Sequence, residues 1–86
     1  MNIENYEIAK NDEGHVLVSF YIYIPDHDGF LVFIAGSNKN GGCDIWGGYK
    51  GNLVEDLDQL SVDLGYSDDE YNLIDDFITC QTSLVL

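Results

Sequence analysis

Apolar and polar residues alternate through the first half of this chain, and a three-to-four-residue period replaces that alternation in the second half. The change of period predicts strands first and helices afterwards. Residues Asn5 to Lys10 read as a first strand with Tyr6 and Ile8 on one face, and Asn11-Asp12-Glu13-Gly14 has the composition of a turn. His15 to Ile24 is dense in β-branched and aromatic residues. A period of two puts Val16, Val18, Phe20, Ile22 and Ile24 on one face of it and Leu17, Ser19, Tyr21 and Tyr23 on the other. Pro25 to Gly29 reads as a loop, and Phe30 to Ala35 as a strand apolar on both faces, expected to pair with its predecessor in the middle of the sheet. Gly36 to Gly42 is a polar loop, and Cys43 to Trp46 a short strand ended by Gly47-Gly48.

From Asn52 onward the spacing is helical. Asn52 is placed to cap a helix with Glu55 as its reciprocal partner, and Leu53, Leu57, Leu60 and Leu64 form its apolar stripe up to Gly65. Ser67 with Glu70 predicts a second capping box, opening a helix from about Asp68 to Cys80 with Tyr71, Ile74, Phe77 and Ile78 facing inward. Gln81 to Leu86 reads as a last strand or a docked tail. The predicted fold is a single α+β domain over residues 1–86, a small antiparallel sheet of three to five strands followed by two amphipathic helices. Helices on one face leave the other uncovered. Tyr21, Tyr23, Leu17 and either Leu31 or Phe33 would stand there as an aromatic patch, closed by a second copy of the chain, by a partner, or by the chain's own loops or tail.

Charge alters this picture most. The chain has 16 acids against three basic residues, a formal net charge of −13. Gly51 to Leu86 holds nine of those carboxylates and neither Lys nor Arg. Like charges repel across a folded surface, so the excess is not explained by stability. An ordinary solvated helix mixes signs through neighbouring pairs, and these helices do not. Acids in the first turn favour the helix dipole, which accounts for Asp68, Asp69 and Glu70 but not for Asp75 and Asp76. Seven residues of helix separate Asp68 from Asp75, and Asp69 from Asp76, by about 10.5 Å. Duplex DNA carries roughly one negative charge per 1.7 Å of its axis, and carboxylates on rigid helices can imitate part of such an array.

Other chemistry is poorly supported. Asp26-His27-Asp28-Gly29 fails as a calcium loop, because its register puts Ile24 and Ala35 at the first and last ligand positions. The glycines of Gly36 to Gly42 have P-loop spacing, but Gly42 stands where the phosphate-binding lysine belongs. Cys43 and Cys80 are too few and too distant for a zinc site or a disulfide framework, and read as buried free thiols of a cytoplasmic protein. No secretory leader is recognisable, and neither apolar stretch approaches the roughly 20 residues that cross a bilayer. Three lysines cannot neutralise a phosphate track, which excludes direct nucleic-acid binding. No catalytic residue, cofactor or metal is expected.

The expected function is that of a non-enzymatic inhibitor occupying the basic nucleic-acid-binding surface of a DNA- or RNA-processing complex. Glu55, Asp56, Asp58, Asp63, Asp68, Asp69, Asp75 and Asp76 would supply the charge, and Trp46, Tyr49 and Tyr66 the packed anchors. In size, acidic surplus and compact α+β plan, though in no residue motif, the chain resembles the small acidic phage-encoded proteins that disarm host defence, the DNA-mimic antirestriction and anti-CRISPR group. An immunity protein or antitoxin against a basic nuclease toxin, or an acidic adaptor module, would show the same charge pattern.

Overall fold

The computed structural model describes residues 1–39 and 41–86. Five strands run in sequence order across one antiparallel sheet: β1 (Asn2–Lys10), β2 (His15–Tyr23), β3 (Phe30–Ser37), β4 (Gly42–Tyr49) and β5 (Asn52–Val54). Two helices follow, α1 (Leu57–Asp63) and α2 (Asp68–Thr82). This is the α+β arrangement that the change of period predicts. Among the described residues no helix is long and apolar enough to cross a membrane.

Strands β2 and β3 form the centre of the sheet. Their alternate residues Val16, Val18, Phe20 and Ile22, with Phe30, Val32 and Ile34, are buried beneath the helices. Leu60, Tyr66, Ile74, Ile78 and Val85 close that core from the other side, and Phe77 meets Phe20 edge-on at 5.0 Å between ring centroids. A bulge in β1 sets two residues, Asn5 and Tyr6, against Phe20 alone. It carries Asn5 into the left-handed region at φ 54°. The extra residue shifts the phase of the strand. Ile3, Tyr6 and Ile8 therefore all lie on the helix side, with Tyr6 stacked over Phe20, while Glu4 and Glu7 both lie on the other.

Two sequence expectations are corrected here. Residues 52–54 are not helical: the Tyr49 backbone turns through Lys50 and Gly51, both with positive φ, and β5 pairs with β4. Two consecutive left-handed residues give the hairpin turn whose twist suits adjacent strands. Asn52 therefore caps nothing, Leu53 is exposed, and α1 starts later with Asp56 as its N-cap, accepting from the Gln59 amide at 3.0 Å. Strand β4 also does not stop at Trp46. It runs through Gly47 and Gly48, and a methyl group at Gly47 would lie 2.6 Å from Leu57 Cδ2 and 2.8 Å from the Leu31 carbonyl oxygen. The bare glycine lets α1 rest directly on the sheet.

Strands β3 and β4 likewise extend into the expected Gly36–Gly42 loop, of which Asn40 lies outside the described residues. The second capping box is present as predicted: Ser67 Oγ accepts from the Glu70 amide, and the Glu70 carboxylate accepts from the Ser67 amide. The tail is docked rather than a strand. Val85 is fully buried, and the Asn38 amide, turned with its nitrogen toward the tail, donates to the carbonyls of Val85 and Leu86. Both thiols are free, Cys43 half-buried and Cys80 exposed, so only the expectation of a free state holds for Cys80.

Candidate partner-binding surface

The acids of the second half stand on the helical layer and its approach, and they fall into two groups. Glu55 and Asp56 lie on the link from β5 into α1, Asp58 on the first turn of α1, and Asp75 on the flank of α2 that faces α1. These four, with Ile45, Leu57 and Ile78, line one shallow depression between the two helices and strand β4. Asp58 accepts a hydrogen bond of 2.6 Å from the Tyr71 hydroxyl, tying α1 to α2. That bond is the first cause of a rise in the Tyr71 phenol to about 12; burial adds to it, followed by the charges of Asp58, Asp75 and Asp56. Three carboxylates around one phenol make the potential there negative, which disfavours the phenolate.

Asp63, Asp68, Asp69 and Asp76 stand outside the depression. Asp63 accepts from the Gln59 side-chain amide at 2.9 Å. Asp68 and Asp69 open α2, and Asp69 and Asp76 share its outer row, all three exposed. Their neighbour Glu70 is engaged differently. Its carboxyl is held below the ordinary range first by the Ser67 backbone amide, then by the Ser67 hydroxyl, with His27 adding a further favourable charge. His27 Nε2 lies 3.3 Å from Glu70, and its ring stands edge-on to Tyr66, so the β2–β3 loop is fastened to the start of α2. A histidine in a loop of turn composition carries no sequence signal for this contact with a residue 43 positions away.

The three lysines stand on strand ends and turns, not on the helices. Lys10 ends β1, Lys39 lies in the β3–β4 turn, and Lys50 sits in the β4–β5 turn, where it pairs with Asp28 at 3.7 Å. Among the described residues, none of the eight acids expected to contact a partner is in an ion pair. No cluster of three or more His, Cys, Asp or Glu side chains that could hold a metal occurs among them either.

Of the aromatic anchors only Trp46 meets one of these acids, sharing with Glu55 a depression at the β4–β5 edge. Trp46 projects from the opposite face of the sheet, stacked on Phe33 with centroids 5.5 Å apart. Tyr49 is half-buried at the sheet's end, its hydroxyl donating to the Asp28 carboxylate at 2.7 Å. Tyr66 is in the core, 9% exposed, its hydroxyl donating to the Asp28 backbone oxygen at 2.6 Å. Burial excludes Tyr66 as an anchor, and the side of the sheet on which Trp46 stands separates it from the carboxylates of α1 and α2, though not from Glu55. Sequence spacing groups residues along one element, but it does not say which face of the sheet a neighbouring element will cover.

Comparison of the chain with protein-family models, with curated proteins and with solved structures gave no match in any of the three.

Proposed function

We propose that the protein is a non-enzymatic inhibitor that occupies the basic nucleic-acid-binding surface of a DNA- or RNA-processing complex, its helical layer standing in for phosphate. The observation that carries this reading is the gathering of Glu55, Asp56, Asp58 and Asp75 around one depression, in the stretch from Gly51 to Leu86 that has no Lys or Arg. Such a field accelerates encounter with a positive groove and repels nucleic acid itself. Two of the charges are fixed in place, Asp56 by its capping bond and Asp58 by Tyr71, and Asp75 is carried on the backbone of α2. Rigid placement lowers the entropy lost on binding.

The test is competition. A partner captured from cells producing the protein is titrated with fluorescent duplex DNA or RNA, with and without the protein. The protein should displace the nucleic acid, less well as salt rises. The Asp56→Asn, Asp58→Asn, Asp75→Asn variant should compete five- to thirtyfold more weakly, as expected for a loss of about 1–2 kcal/mol spread over three exposed charges. If saturating protein leaves nucleic-acid binding by the captured partner unchanged, charge mimicry is wrong.

A further inference from the structure

Among the described residues neither helix nor the tail covers the second face of the sheet, and the β2–β3 loop touches it only at Gly29, against Tyr21 and Tyr23. The register puts Leu17, Ala35 and Asp44 in one row across it, Ser19, Phe33 and Trp46 in the next, and Tyr21, Leu31, Gly48 and Leu53 in a third. Both helices and the docked tail pack on the other side. The result is an aromatic surface in which Trp46 lies along Phe33 and Tyr21 lies beside Tyr23, at 6.3 Å between centroids. Leu17, Leu31 and Leu53 are exposed around them.

Carboxylates rim this surface. Glu4 stands directly opposite Tyr21 and Glu7 opposite Ser19 across the β1–β2 ladder, so each Cβ pair is about 5 Å apart. Asp44 shares the face with Trp46, two residues along the same strand, about 7 Å away. Phase in β1 would normally put Glu4 and Glu7 on opposite faces. The bulge puts both on this one.

The rim decides what can dock. A second copy would bring Glu4, Glu7 and Asp44 against their own likenesses and add −13 to −13. An uncharged apolar partner would leave three carboxylates losing water without compensation. A positive group satisfies both parts of the surface. Arginine does so best, because its flat, weakly hydrated guanidinium stacks on aromatic rings while its N–H fork meets a carboxylate. The molecule already holds one cation in this way. Lys50 Nζ lies 5.2 Å above the Tyr49 ring and 3.7 Å from the Asp28 carboxylate.

We propose that the uncovered sheet face is a docking surface for arginine side chains of a basic protein partner, seated on its aromatic rings beside Glu4, Glu7 and Asp44. This surface lies on the other side of the sheet from the helical depression, adjoining it only at Ile45 and Glu55, and stands whether or not the helical layer competes with nucleic acid.

Trp46 is the only tryptophan in the chain, so its emission reports on this face alone. The probes are nona-arginine and nona-lysine peptides, of equal length and charge. Nona-arginine should shift or quench Trp46 emission and bind at least fivefold more tightly by that signal than nona-lysine. The Glu4→Gln, Glu7→Gln, Asp44→Asn variant should lose that preference. The Asp56→Asn, Asp58→Asn, Asp75→Asn variant should keep the Trp46 response. Equal responses to the two peptides overturn the proposal, as does a response that survives the rim variant and disappears in the helical one. So does a sedimentation result showing a dimer with Trp46 shielded from quencher. Failure of the helical reading would appear separately, in the nucleic-acid competition.

Discussion

Replacing Tyr66 with phenylalanine removes one oxygen and one hydrogen bond while keeping the ring. That bond, 2.6 Å to the Asp28 carbonyl, joins the α1–α2 link to the β2–β3 loop. Its loss leaves a partly buried acceptor for water to satisfy, a cost of about 0.5–1.5 kcal/mol. In a domain of this size about 1 kcal/mol lowers Tm by roughly 4–8 °C. Tyr66→Ala also removes the ring that packs between Phe30 and His27, adding about 3–5 kcal/mol for lost burial and cavity. Total stability at this length is about 4–13 kcal/mol, so the alanine variant should lose a large share of it and, at the lower end of that range, be close to unfolding at room temperature. Urea denaturation followed by Trp46 emission and by far-ultraviolet circular dichroism measures both variants, and the slope should be unchanged in Tyr66→Phe. Alkali supplies a second arm. Burial, ahead of nearby charges, pushes the Tyr66 phenol up to about 12. A raised acid favours the protonated folded state, so its contribution is complete below the ordinary phenol value near 10. It is lost as pH rises from there toward about 12, and Tyr66→Phe should lose less stability over that interval. A Tyr66→Phe protein that melts like the parent but binds its partner poorly would refute the reasoning and return the hydroxyl to the interface.

Three further outcomes are expected. Gly47→Ala should cost about 1–3 kcal/mol in urea, because Leu57 can swing away from the new methyl but the Leu31 carbonyl cannot; an unchanged midpoint would mean that α1 does not rest on β4. Asp58→Asn should bring the Tyr71 phenol down from about 12 toward the ordinary range, seen as one tyrosine ionising earlier in absorbance at about 295 nm, and an unaltered titration would deny the Tyr71–Asp58 bond. Ser67→Ala should remove about 1 kcal/mol by uncapping α2, with Ser67→Asp restoring most of it in thermal melts.

The parts of the fold legible in the sequence are those where one local signal is strong. Strand β2 is readable because four β-branched or aromatic residues recur at every second position, and α2 because Ser67 and Glu70 bracket its first turn. The region between them is not, for two reasons. Leu53 has the right spacing to extend the α1 stripe, yet the backbone reversal at Lys50 and Gly51 takes that residue into the sheet instead. Lysine is a poor signal for a left-handed position, so the hairpin goes unseen until the coordinates place it. The acids of the candidate site are likewise visible as composition, but their convergence depends on how α2 lies against α1. Glu55 and Asp56 reach Asp75 only through tertiary packing, across about twenty residues of sequence. The division of acids and aromatics between two faces was hidden for the same reason: Trp46 and Gly47 are neighbours in the chain and point to opposite sides of the sheet.

The bulge at Asn5 has a consequence for how these molecules keep apart. A nine-residue border strand with one side unpaired is an open invitation to another chain, and fibre growth begins from such invitations. Here the extra residue breaks the ladder of free amides and carbonyls midway, so an incoming strand finds no continuous run to zip along. The opposite border is stepped, because three-residue β5 covers β4 only from Gly47 to Tyr49 and leaves two short runs in place of one long one. A protein that leaves an oily, ring-studded surface in water is thereby denied the simplest route to self-polymerisation.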